Sequence, residues 1–465
     1  MKRAILVTWM SAVALACVDD SNTSGAPDGG VMGSDDGGAA VVNECTAPTN
    51  GPTVHDHNIS ADETWTAAGS PHVISSTVYV TGGATLTIEP CAEVLLEEEA
   101  VLGMRDGKLL AEGTASKRIH IAGKGGAKWT KLELNAPGLA RLAYVDIEGG
   151  GGAGLNDQDD TTVEVRGDGE MPADPVLYVD HVTVKGSRGV GVAVFSLATF
   201  APGSQDLVVT GCGGDKWPYP ISIEEHSMDS LPTGSYTGNK KDEVYLRFAG
   251  AGRAGDGLKV DATLHDRGVP YRLHSGFNVA ANEAGKLSTL TIEPGVTMKF
   301  PKGKFFKVEH WTGNDPATGV LRALGTAERP IVLTSAEASP APGDWGGLWF
   351  GGVPSAQNKL EHVIVEYAGA DCGCSLATCN ALTEFEGAVL LTNRPAGGTA
   401  FITSSTIRHI AGHGVVEGWA FVNGDSRNAQ IDFTPTNTFD VTGCVQTLPG
   451  NTTAGGCPSP KPACQ

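Results

Sequence analysis

The strongest constraint on the fold is an internal repeat that runs through most of the chain. Residues 84–90 read A-T-L-T-I-E-P and residues 288–294 read S-T-L-T-I-E-P, an offset of 288 − 84 = 204 residues. The order of later matches is kept, because Trp129 corresponds to Trp345 at an offset of 345 − 129 = 216. The drift indicates small loop insertions in a duplicated unit. The chain is therefore predicted to contain two homologous modules.

Each module consists of short runs of apolar residues separated by turn residues. Val182 and Val184 show the two-residue period of a strand with one buried face. Such runs recur at intervals of about 20 to 25 residues, and aromatic residues make up only 6% of the chain. We therefore expect the stacked coils of a parallel β-helix rather than a sandwich. Its open ends need covers, for which residues 43–63 and 447–465 are the candidates.

Three segments of the second module carry a resemblance to a known family. They are T-I-E-P-G at residues 291–295, G-T-A-E-R-P-I at residues 325–331 and G-D-W-G-G-L at residues 343–348. These motifs resemble bacterial lipoproteins with right-handed parallel β-helix, pectin-lyase-like repeats, and the likeness covers both modules. The resemblance implies an all-β, right-handed parallel β-helix (solenoid) at a cell surface. It implies no particular reaction.

The expected organisation has five parts. They are a lipoprotein signal peptide at 1–16, a lipidated cysteine with a flexible linker and the start of an N-terminal cap at 17–58, β-helix module 1 at 59–258, β-helix module 2 at 259–446, and a cysteine-containing C-terminal cap or tail at 447–465. The two modules are expected to stack as one continuous coil.

The first residues predict export. Lys2 and Arg3 precede a short apolar run that ends in A-L-A-C, with Cys17 as its last residue. This ending resembles the lipobox of bacterial lipoproteins, and the resemblance implies that Cys17 carries a lipid; an ordinary signal peptide is the alternative. Residues 18–42 have almost no large apolar side chains, so a disordered linker is expected. The predicted location is the outer membrane, on the cell surface or the periplasmic face, with the lipid as membrane anchor.

The net charge of the chain limits which classes of binding partner are expected. The chain has 33 basic and 53 acidic residues, a formal charge of −20 and a sequence pI near 5.0. Because such a chain repels polyanions, no nucleic acid partner is expected. The repetitive side of a solenoid suits an extended glycan or a surface protein. We therefore expect non-catalytic binding or adhesion. The alternatives are a polysaccharide lyase or glycoside hydrolase of the pectin-lyase-like class, and a purely structural envelope protein.

Ten cysteines in an exported chain predict disulfides. A bond from Cys45 to Cys91 would fasten the leading cap to an early coil, and the last cysteines would fasten the trailing cap. A loop with three cysteines predicts one more disulfide and one odd thiol, with a zinc site as the alternative. Cys212 and Cys444 lie a whole module apart and cannot bond to each other. The candidates are Cys45, Cys91, Cys372, Cys379, Cys457 and Cys464, with Cys374 as a further member of the loop and Cys444 of the trailing cap.

Two short segments resemble catalytic strands of β-helix enzymes. Y-V-D-H at residues 178–181 resembles the W-I-D-H strand of pectate lyases, and G-H-G at residues 412–414 resembles that of polygalacturonases. Because side chains alternate along a strand, Asp180 and His181 are expected on opposite faces, which would prevent joint action. The catalytic candidates are Asp180, His181, His409, His413 and Glu366, and a polar patch is expected around the last three with Tyr367 and Arg408.

An acidic loop is the candidate metal site. Asp157, Asp159 and Asp160 supply the oxygen donors that calcium prefers. Because they lack the spacing of an EF-hand loop, a solvated acidic loop is the alternative, and no other cofactor is expected. The loop belongs to an insertion at residues 149–174. A second insertion, at residues 368–387, occupies the equivalent place in module 2.

Overall fold

The computed structural model of the protein describes residues 42–152, 160–248, 257–281, 285–308, 317–370, 386–417, 431–448 and 464–465. The chain divides into two units, residues 1–42 and 43–465, and the strands of the described residues belong to the second. The strands pair in parallel, and the described residues contain no α-helix. This unit is a right-handed parallel β-helix, which confirms the fold predicted from the sequence.

In module 1 most coils contribute strands at three successive positions. The first-position strands are β2 (Glu63–Trp65), β5 (Thr85–Ile88), β8 (Lys108–Glu112), β11 (Leu139–Ala143) and β16 (Ala198–Phe200). The second-position strands are β1 (Thr53–His55), β3 (His72–Ile74), β6 (Glu93–Leu96), β9 (Ile119–Gly123), β12 (Val145–Glu148), β17 (Gln205–Thr210) and β19 (Gly234–Ser235). The long strand β14 (Asp174–Lys185) spans both positions and joins them into one bent 13-stranded sheet.

A second 13-stranded sheet, which we call the long sheet, runs through both modules. Its module 1 strands hold the third position and are β4 (Val78–Val80), β7 (Val101–Met104), β10 (Lys131–Asn135), β13 (Val163–Arg166), β15 (Val192–Phe195), β18 (Ile221–Glu224) and β20 (Val244–Arg247). Its module 2 strands hold the second position and are β22 (Tyr271–Leu273), β25 (Thr297–Phe300), β28 (Ile331–Ser335), β31 (Val363–Glu366), β34 (Thr406–Ile410) and β36 (Thr438–Val441).

Two five-stranded sheets complete module 2. The first-position sheet consists of β21 (Ala262–Leu264), β24 (Ser288–Ile292), β27 (Gly319–Leu324), β30 (Lys359–Glu361) and β33 (Ile402–Thr403). The third-position sheet consists of β23 (Phe277–Val279), β26 (Phe305–Val308), β29 (Gly347–Phe350), β32 (Gly387–Leu391) and β35 (His413–Glu417). Short 3-10 helices lie at Ala67–Gly69, Lys124–Gly126 and Met228–Ser230.

The two modules are out of phase by one strand position. β7 begins at Val101, and 101 + 204 = 305 is the first residue of β26, yet β7 lies in the long sheet and β26 in the third-position sheet. The long sheet stays continuous because β20, a third-position strand, pairs with β22, a second-position strand. Glu148 ends a strand of the bent sheet, and residues 149–174, predicted as an insertion, contain the long-sheet strand β13. Glu366, its equivalent in module 2, itself ends the long-sheet strand β31.

The coils are longer than the 20 to 25 residues expected from the sequence. Paired residues of successive coils are 94 − 72 = 22 residues apart at His72 and Val94, but 407 − 365 = 42 apart at Val365 and Ile407. Most of the described strands remain short, so the greater length of the coils does not come from longer strands. Short strands are sufficient because their inward side chains stack in register on those of the neighbouring coils and are buried. This burial stabilises each strand.

Trp129 and Trp345 occupy equivalent places in the cores of the two modules. Both side chains are fully buried. Nε1 of Trp129 donates to the carbonyl oxygen of Glu148 at 3.0 Å, and Nε1 of Trp345 donates to the carbonyl oxygen of Glu366 at 2.8 Å. Each indole therefore satisfies a backbone acceptor at the end of a second-position strand while it fills the core.

Disulfides fasten both ends of the coil. One joins Cys45 to Cys91, the pairing expected from the sequence, and the other joins Cys464 to Cys444. Cys212 is the free thiol among the described cysteines, and burial raises its pKa to about 11, so it is unreactive at neutral pH. Predictions for Cys17, Cys372, Cys374, Cys379 and Cys457 concern residues outside the described ranges.

A pair of buried histidines joins β1 to β3. His55 and His72 are 7% and 3% exposed. Nε2 of His72 lies 2.9 Å from the carbonyl oxygen of Thr66 and must donate to it, so Nδ1 of His72 accepts from Nε2 of His55 at 3.0 Å. This arrangement requires a neutral His72. Burial lowers the pKa of both histidines.

We expect this N-terminal edge to weaken in mild acid. The folded-state pKa of each histidine lies below the ordinary 6.5, so the unfolded chain binds more protons between the two values. The contribution to stability is complete above pH 6.5 and falls as the pH drops towards the folded pKa, by up to about 1.4 kcal/mol per pH unit for each histidine. Hydrogen exchange of the β1 and β3 amides, corrected for intrinsic rates, measures this.

The exposed His57 offers a matched control for that experiment. His57→Gln should leave the acid weakening intact, whereas His72→Gln should reduce it because one of the two titrating groups is gone. Equal corrected protection of the wild-type edge above and below pH 6.5 would contradict the expectation.

Candidate functional site

The outer face of the long sheet carries an unusual set of side chains where the modules meet. Tyr245, Arg272 and Lys299 stand in register on β20, β22 and β25, at steps of about 4.8 Å. Residues 217–219, in the loop before β18, pack beside this row. We call the following group the junction surface: Trp217, Tyr219, Glu243, Tyr245, Arg247, Arg272, His274 and Lys299.

Aromatic rings form the base of the junction surface. Tyr219 stacks on Tyr245 with 4.7 Å between ring centroids and an angle of 9°, and Trp217 meets Tyr245 edge-on at 5.9 Å. Tyr219 is buried, Trp217 and Tyr245 are half-buried, and His274 is exposed. Within the described part of the chain, Nε1 of Trp217 is buried without a hydrogen-bond partner. Such rings suit the apolar faces of sugar rings.

Two cations flank one carboxylate on this surface, and a third cation lies against an aromatic ring. Nζ of Lys299 lies 2.7 Å from Oε1 of Glu243, and a guanidinium nitrogen of Arg272 lies 3.9 Å from its Oε2. The guanidinium carbon of Arg247 lies 4.7 Å from the ring centroid of Trp217. Lys299, Arg272 and Glu243 together carry a formal charge of 2 − 1 = +1, in a chain whose net charge is −20. The surface therefore favours an anionic ligand.

His274 adds a hydrogen-bond donor. Burial lowers the pKa of His274, and the charges of Arg247 and Lys304 lower it further. The neutral ring lies with Nδ1 2.6 Å from the hydroxyl of Tyr245. When that hydroxyl donates to Nδ1, the proton of the imidazole is on Nε2, which can donate to a ligand oxygen.

At the corner between first and second positions, the prediction that Asp180 and His181 face opposite sides is wrong. His181 adopts a left-handed backbone with φ of 55°, which turns the chain within β14 and breaks the side-chain alternation. Nδ1 of His181 lies 2.7 Å from Oδ1 of Asp180, and Nε2 lies 3.4 Å from Oδ2 of Asp206. Asp206, with φ of 49°, makes the same turn in the next coil.

An aromatic ring and an arginine support this corner. The ring of Tyr144, on the preceding coil, stacks on His181 at 4.5 Å and 15°. Arg118 donates to the carbonyl oxygen of His181 at 3.0 Å and makes two hydrogen bonds to Asp146. Burial alone would raise the pKa of Asp146, but Arg118 holds it below its ordinary value. We call Tyr144, Asp180, His181 and Asp206 the corner cluster.

Four of the residues expected in the polar patch of module 2 do come together. The imidazole of His409 stacks on Tyr367 at 5.4 Å, and its Nδ1 lies 3.2 Å from Oδ2 of Asp440. Arg408, the residue before His409, lies with a guanidinium nitrogen 2.7 Å from Oε2 of Glu366. The carboxylate of Glu366 is therefore paired with a guanidinium. This pairing makes the carboxylate a weaker proton acceptor, so Glu366 is a poor candidate for a general base.

His413 does not join this patch, because the chain bends at Gly412 and His413 begins β35 in the third-position sheet. Its Nδ1 accepts a hydrogen bond from the backbone N–H of Cys444 at 2.9 Å. Gly412 has φ of 84°, and a Cβ on Gly414 would lie 2.4 Å from the carbonyl oxygen of Val445. Gly412 is thus required by the bend, and Gly414 by the close approach of the neighbouring chain.

Of the three candidate calcium ligands, only Asp160 belongs to the described residues. Asp157 and Asp159 lie outside the described residues, so the calcium site stays a prediction. The carbonyl oxygen of Asp160 lies 3.4 Å from the hydroxyl of Ser187.

A cleft of about 590 Å3 opens beside β16, and its charged residues already link neighbouring coils. Two guanidinium nitrogens of Arg267 donate to the carbonyl oxygen of Leu231. Asp229 lies 2.9 Å from Nε2 of His265, and Nδ1 of His265 lies 2.8 Å from Glu293. Because these groups hold the coil together, the cleft is a weaker candidate than the junction surface.

Comparison with known proteins places a family domain over part of this region. Residues 258–381 match the family model of the pectate-lyase-like beta helix domain, and this range contains Arg272, His274 and Lys299. No curated protein and no solved structure matches the chain. Among the described residues we find no helix with the length and hydrophobicity that crossing a bilayer requires.

Proposed function

We propose that this pectin-lyase-like parallel β-helix binds an acidic polysaccharide across its junction surface. The observation that supports the proposal best is the register of Tyr245, Arg272 and Lys299 on three successive strands. An aromatic ring, a guanidinium and an ammonium group follow one another at steps of about 4.8 Å. An extended uronate polymer presents a matching series of apolar sugar faces and carboxylates.

The charge of the surface favours an acidic over a neutral polymer. Arg272 is held in place by a hydrogen bond of 2.6 Å to the carbonyl oxygen of Ala336, and a planar guanidinium binds carboxylates in a bidentate manner. Lys299 and Arg272 share the single carboxylate of Glu243, so an excess of positive charge remains. A ligand carboxylate would balance that excess.

The full-length protein is expected to bind polygalacturonate, and to bind a neutral glucan at least about tenfold more weakly. Arg272→Gln and Lys299→Gln should each reduce the affinity for polygalacturonate about tenfold, since each removes a charge-assisted contact. Added salt should weaken wild-type binding, because exposed charges are screened. Isothermal titration calorimetry at two ionic strengths measures both effects.

Arg141 supplies the matched control. Its guanidinium carbon lies 4.0 Å from the ring centroid of Tyr178, a cation–π pair like that of the junction surface but on first-position strands. Arg141→Gln should leave the affinity for polygalacturonate unchanged. Equal losses in Arg141→Gln and Arg272→Gln, or no uronate binding at low salt, would overturn the proposal.

A polysaccharide lyase or glycoside hydrolase is the second candidate, because the family match covers the basic half of the junction surface. A lyase removes the proton next to a uronate carboxylate, and nearby cations stabilise the charge that develops. Arg272 and Lys299 are of the right type for this. Unsaturated products in the same incubations, lost in Lys299→Gln, would assign the lyase function. Binding without product would assign the first function.

We also propose that the protein is located at the outer membrane. A lipid on Cys17 would hold the protein at the outer membrane, where the residues between Cys17 and the coil would act as a tether. The junction surface would then meet polysaccharides outside the membrane.

A further inference from the structure

We propose that the corner cluster binds a divalent transition-metal ion such as Zn2+. His181 and Asp206 would be the direct protein ligands, and Asp180 would orient the imidazole. One ligand atom from each of these three residues lies within 4.8 Å of the other two. This site is separate from the junction surface and does not depend on the polysaccharide proposal.

The spacing of the two direct ligands suits a tetrahedral ion. Nε2 of His181 and Oδ2 of Asp206 are 3.4 Å apart. Bonds of about 2.0 to 2.1 Å at tetrahedral angles give ligand separations of about 3.3 to 3.4 Å. The two side chains are 42% and 52% exposed, so water can complete the coordination. The ion would join successive coils, because His181 and Asp206 lie on β14 and β17.

The groups behind His181 prepare it as a ligand. Nδ1 of His181 lies 2.7 Å from Oδ1 of Asp180, and Nε2 of Gln205 donates to that same oxygen at 3.1 Å. A proton held on Nδ1 leaves the lone pair on Nε2, which is the carboxylate–histidine–metal arrangement of many protein metal sites. The stacked ring of Tyr144 fixes the plane of the imidazole.

Charge and donor type select the ion. A dication would lie beside two carboxylates in an acidic protein, while the nearby guanidinium of Arg118 is paired with Asp146. Imidazole nitrogen favours zinc, nickel or copper over calcium or magnesium. The donor set therefore points to a borderline transition metal.

Module 2 contains an internal comparison. His409 has a stacked tyrosine and a neighbouring carboxylate, Tyr367 and Asp440, as His181 does. Arg408 stands before His409, where Asp180 stands before His181. Asp440 contacts Nδ1 of His409, the nitrogen that Asp180 contacts at His181. Among the described residues, no third metal-binding side chain is grouped with His409 and Asp440. His409 is therefore expected to be the poorer ligand, and it provides a matched control variant.

Zinc titration of the full-length, oxidised protein by calorimetry tests the site. His181→Gln and Asp206→Asn should each remove one equivalent of bound zinc, and Asp180→Asn should weaken that equivalent about 10- to 100-fold. His409→Gln should change neither stoichiometry nor affinity. Counting equivalents separates this site from any other zinc-binding residues of the chain.

Thermal unfolding provides a second measurement. Zinc should raise the Tm of the wild type by mass action, and this increase should be smaller in His181→Gln. Polygalacturonate binding by His181→Gln should equal that of the wild type, which distinguishes failure of this site from failure of the junction surface. The same zinc stoichiometry and affinity in wild type and His181→Gln, or no zinc binding by the wild type, would overturn the proposal.

Discussion

Replacing Glu417 by glutamine is expected to remove a pH-dependent weakness at the C-terminal end of the coil. Glu417, at the end of β35, is fully buried. Its Oε1 accepts from Nε2 of Gln446 at 2.9 Å, while its Oε2 is without a hydrogen-bond partner among the described residues. Burial raises the pKa of Glu417 from 4.5 to about 8. An ionised carboxylate at this position is therefore costly.

The sign of the effect follows from proton binding. Between pH 4.5 and about 8 the folded protein keeps the proton that the unfolded chain has lost, so stability falls as the pH rises. The full range corresponds to about 5 kcal/mol at ~1.4 kcal/mol per pH unit. Glu417→Gln lacks this titration. The advantage of the variant should therefore grow from almost nothing in mild acid to roughly that value in mild alkali.

Hydrogen exchange of the β35 amides measures the difference. Wild type and Glu417→Gln are compared at the same pH, so that intrinsic exchange rates cancel. The protection of the wild type relative to the variant should fall roughly a thousandfold or more between about pH 5 and about pH 8.5. A ratio that stays constant across this range would show that Glu417 ionises without cost.

Replacing Trp345 by alanine is expected to destabilise module 2 by about 3 to 5 kcal/mol. The indole is fully buried and stacks on Phe300 with 4.3 Å between ring centroids, so its removal leaves a cavity. The carbonyl oxygen of Glu366 also loses its 2.8 Å hydrogen bond, at a cost of about 1 to 3 kcal/mol for a buried group. Trp345→Phe keeps part of the volume and loses the N–H, so an intermediate effect is expected.

Denaturant unfolding of the variants checks this ranking. Trp129→Ala should cost about as much as Trp345→Ala, because the two indoles are equivalent in the repeat. Trp217→Ala, at a half-buried outer position, should cost much less. A loss in Trp345→Ala no greater than in Trp217→Ala would refute the structural role assigned to the repeated tryptophan.

The sequence predicts the coil well because its repeat and strand periodicity are local patterns. T-L-T-I-E-P recurs at 85–90 and 289–294, and both copies form first-position strands. The phase difference between the modules could not be predicted, since a repeat shows that two strands are equivalent without showing which sheet each joins. The pairing of β20 with β22 depends on how the chain crosses the boundary between modules.

The candidate sites were harder to predict for two physical reasons. At His181 a single left-handed residue reverses the alternation on which the sequence argument depends, and it brings Asp180 and Asp206 to the same imidazole. The junction surface is built from a loop and strands that are far apart in sequence. The one sequence feature that could have indicated this surface is W-P-Y-P at residues 217–220, because it places two aromatic residues close together in a chain with only 6% aromatic residues. The register of Tyr245 with Arg272 was not visible in that pattern.

The most direct test of the polysaccharide proposal is the position of the ligand on the coil. Hydrogen exchange of the full-length protein with and without a uronate oligosaccharide maps it. Binding should slow exchange in residues 217–219 and in β20 and β22, which lie side by side under the junction surface. Protection confined to the third-position sheet of module 2, or unchanged exchange in β20 and β22 at saturating ligand, would contradict the assignment.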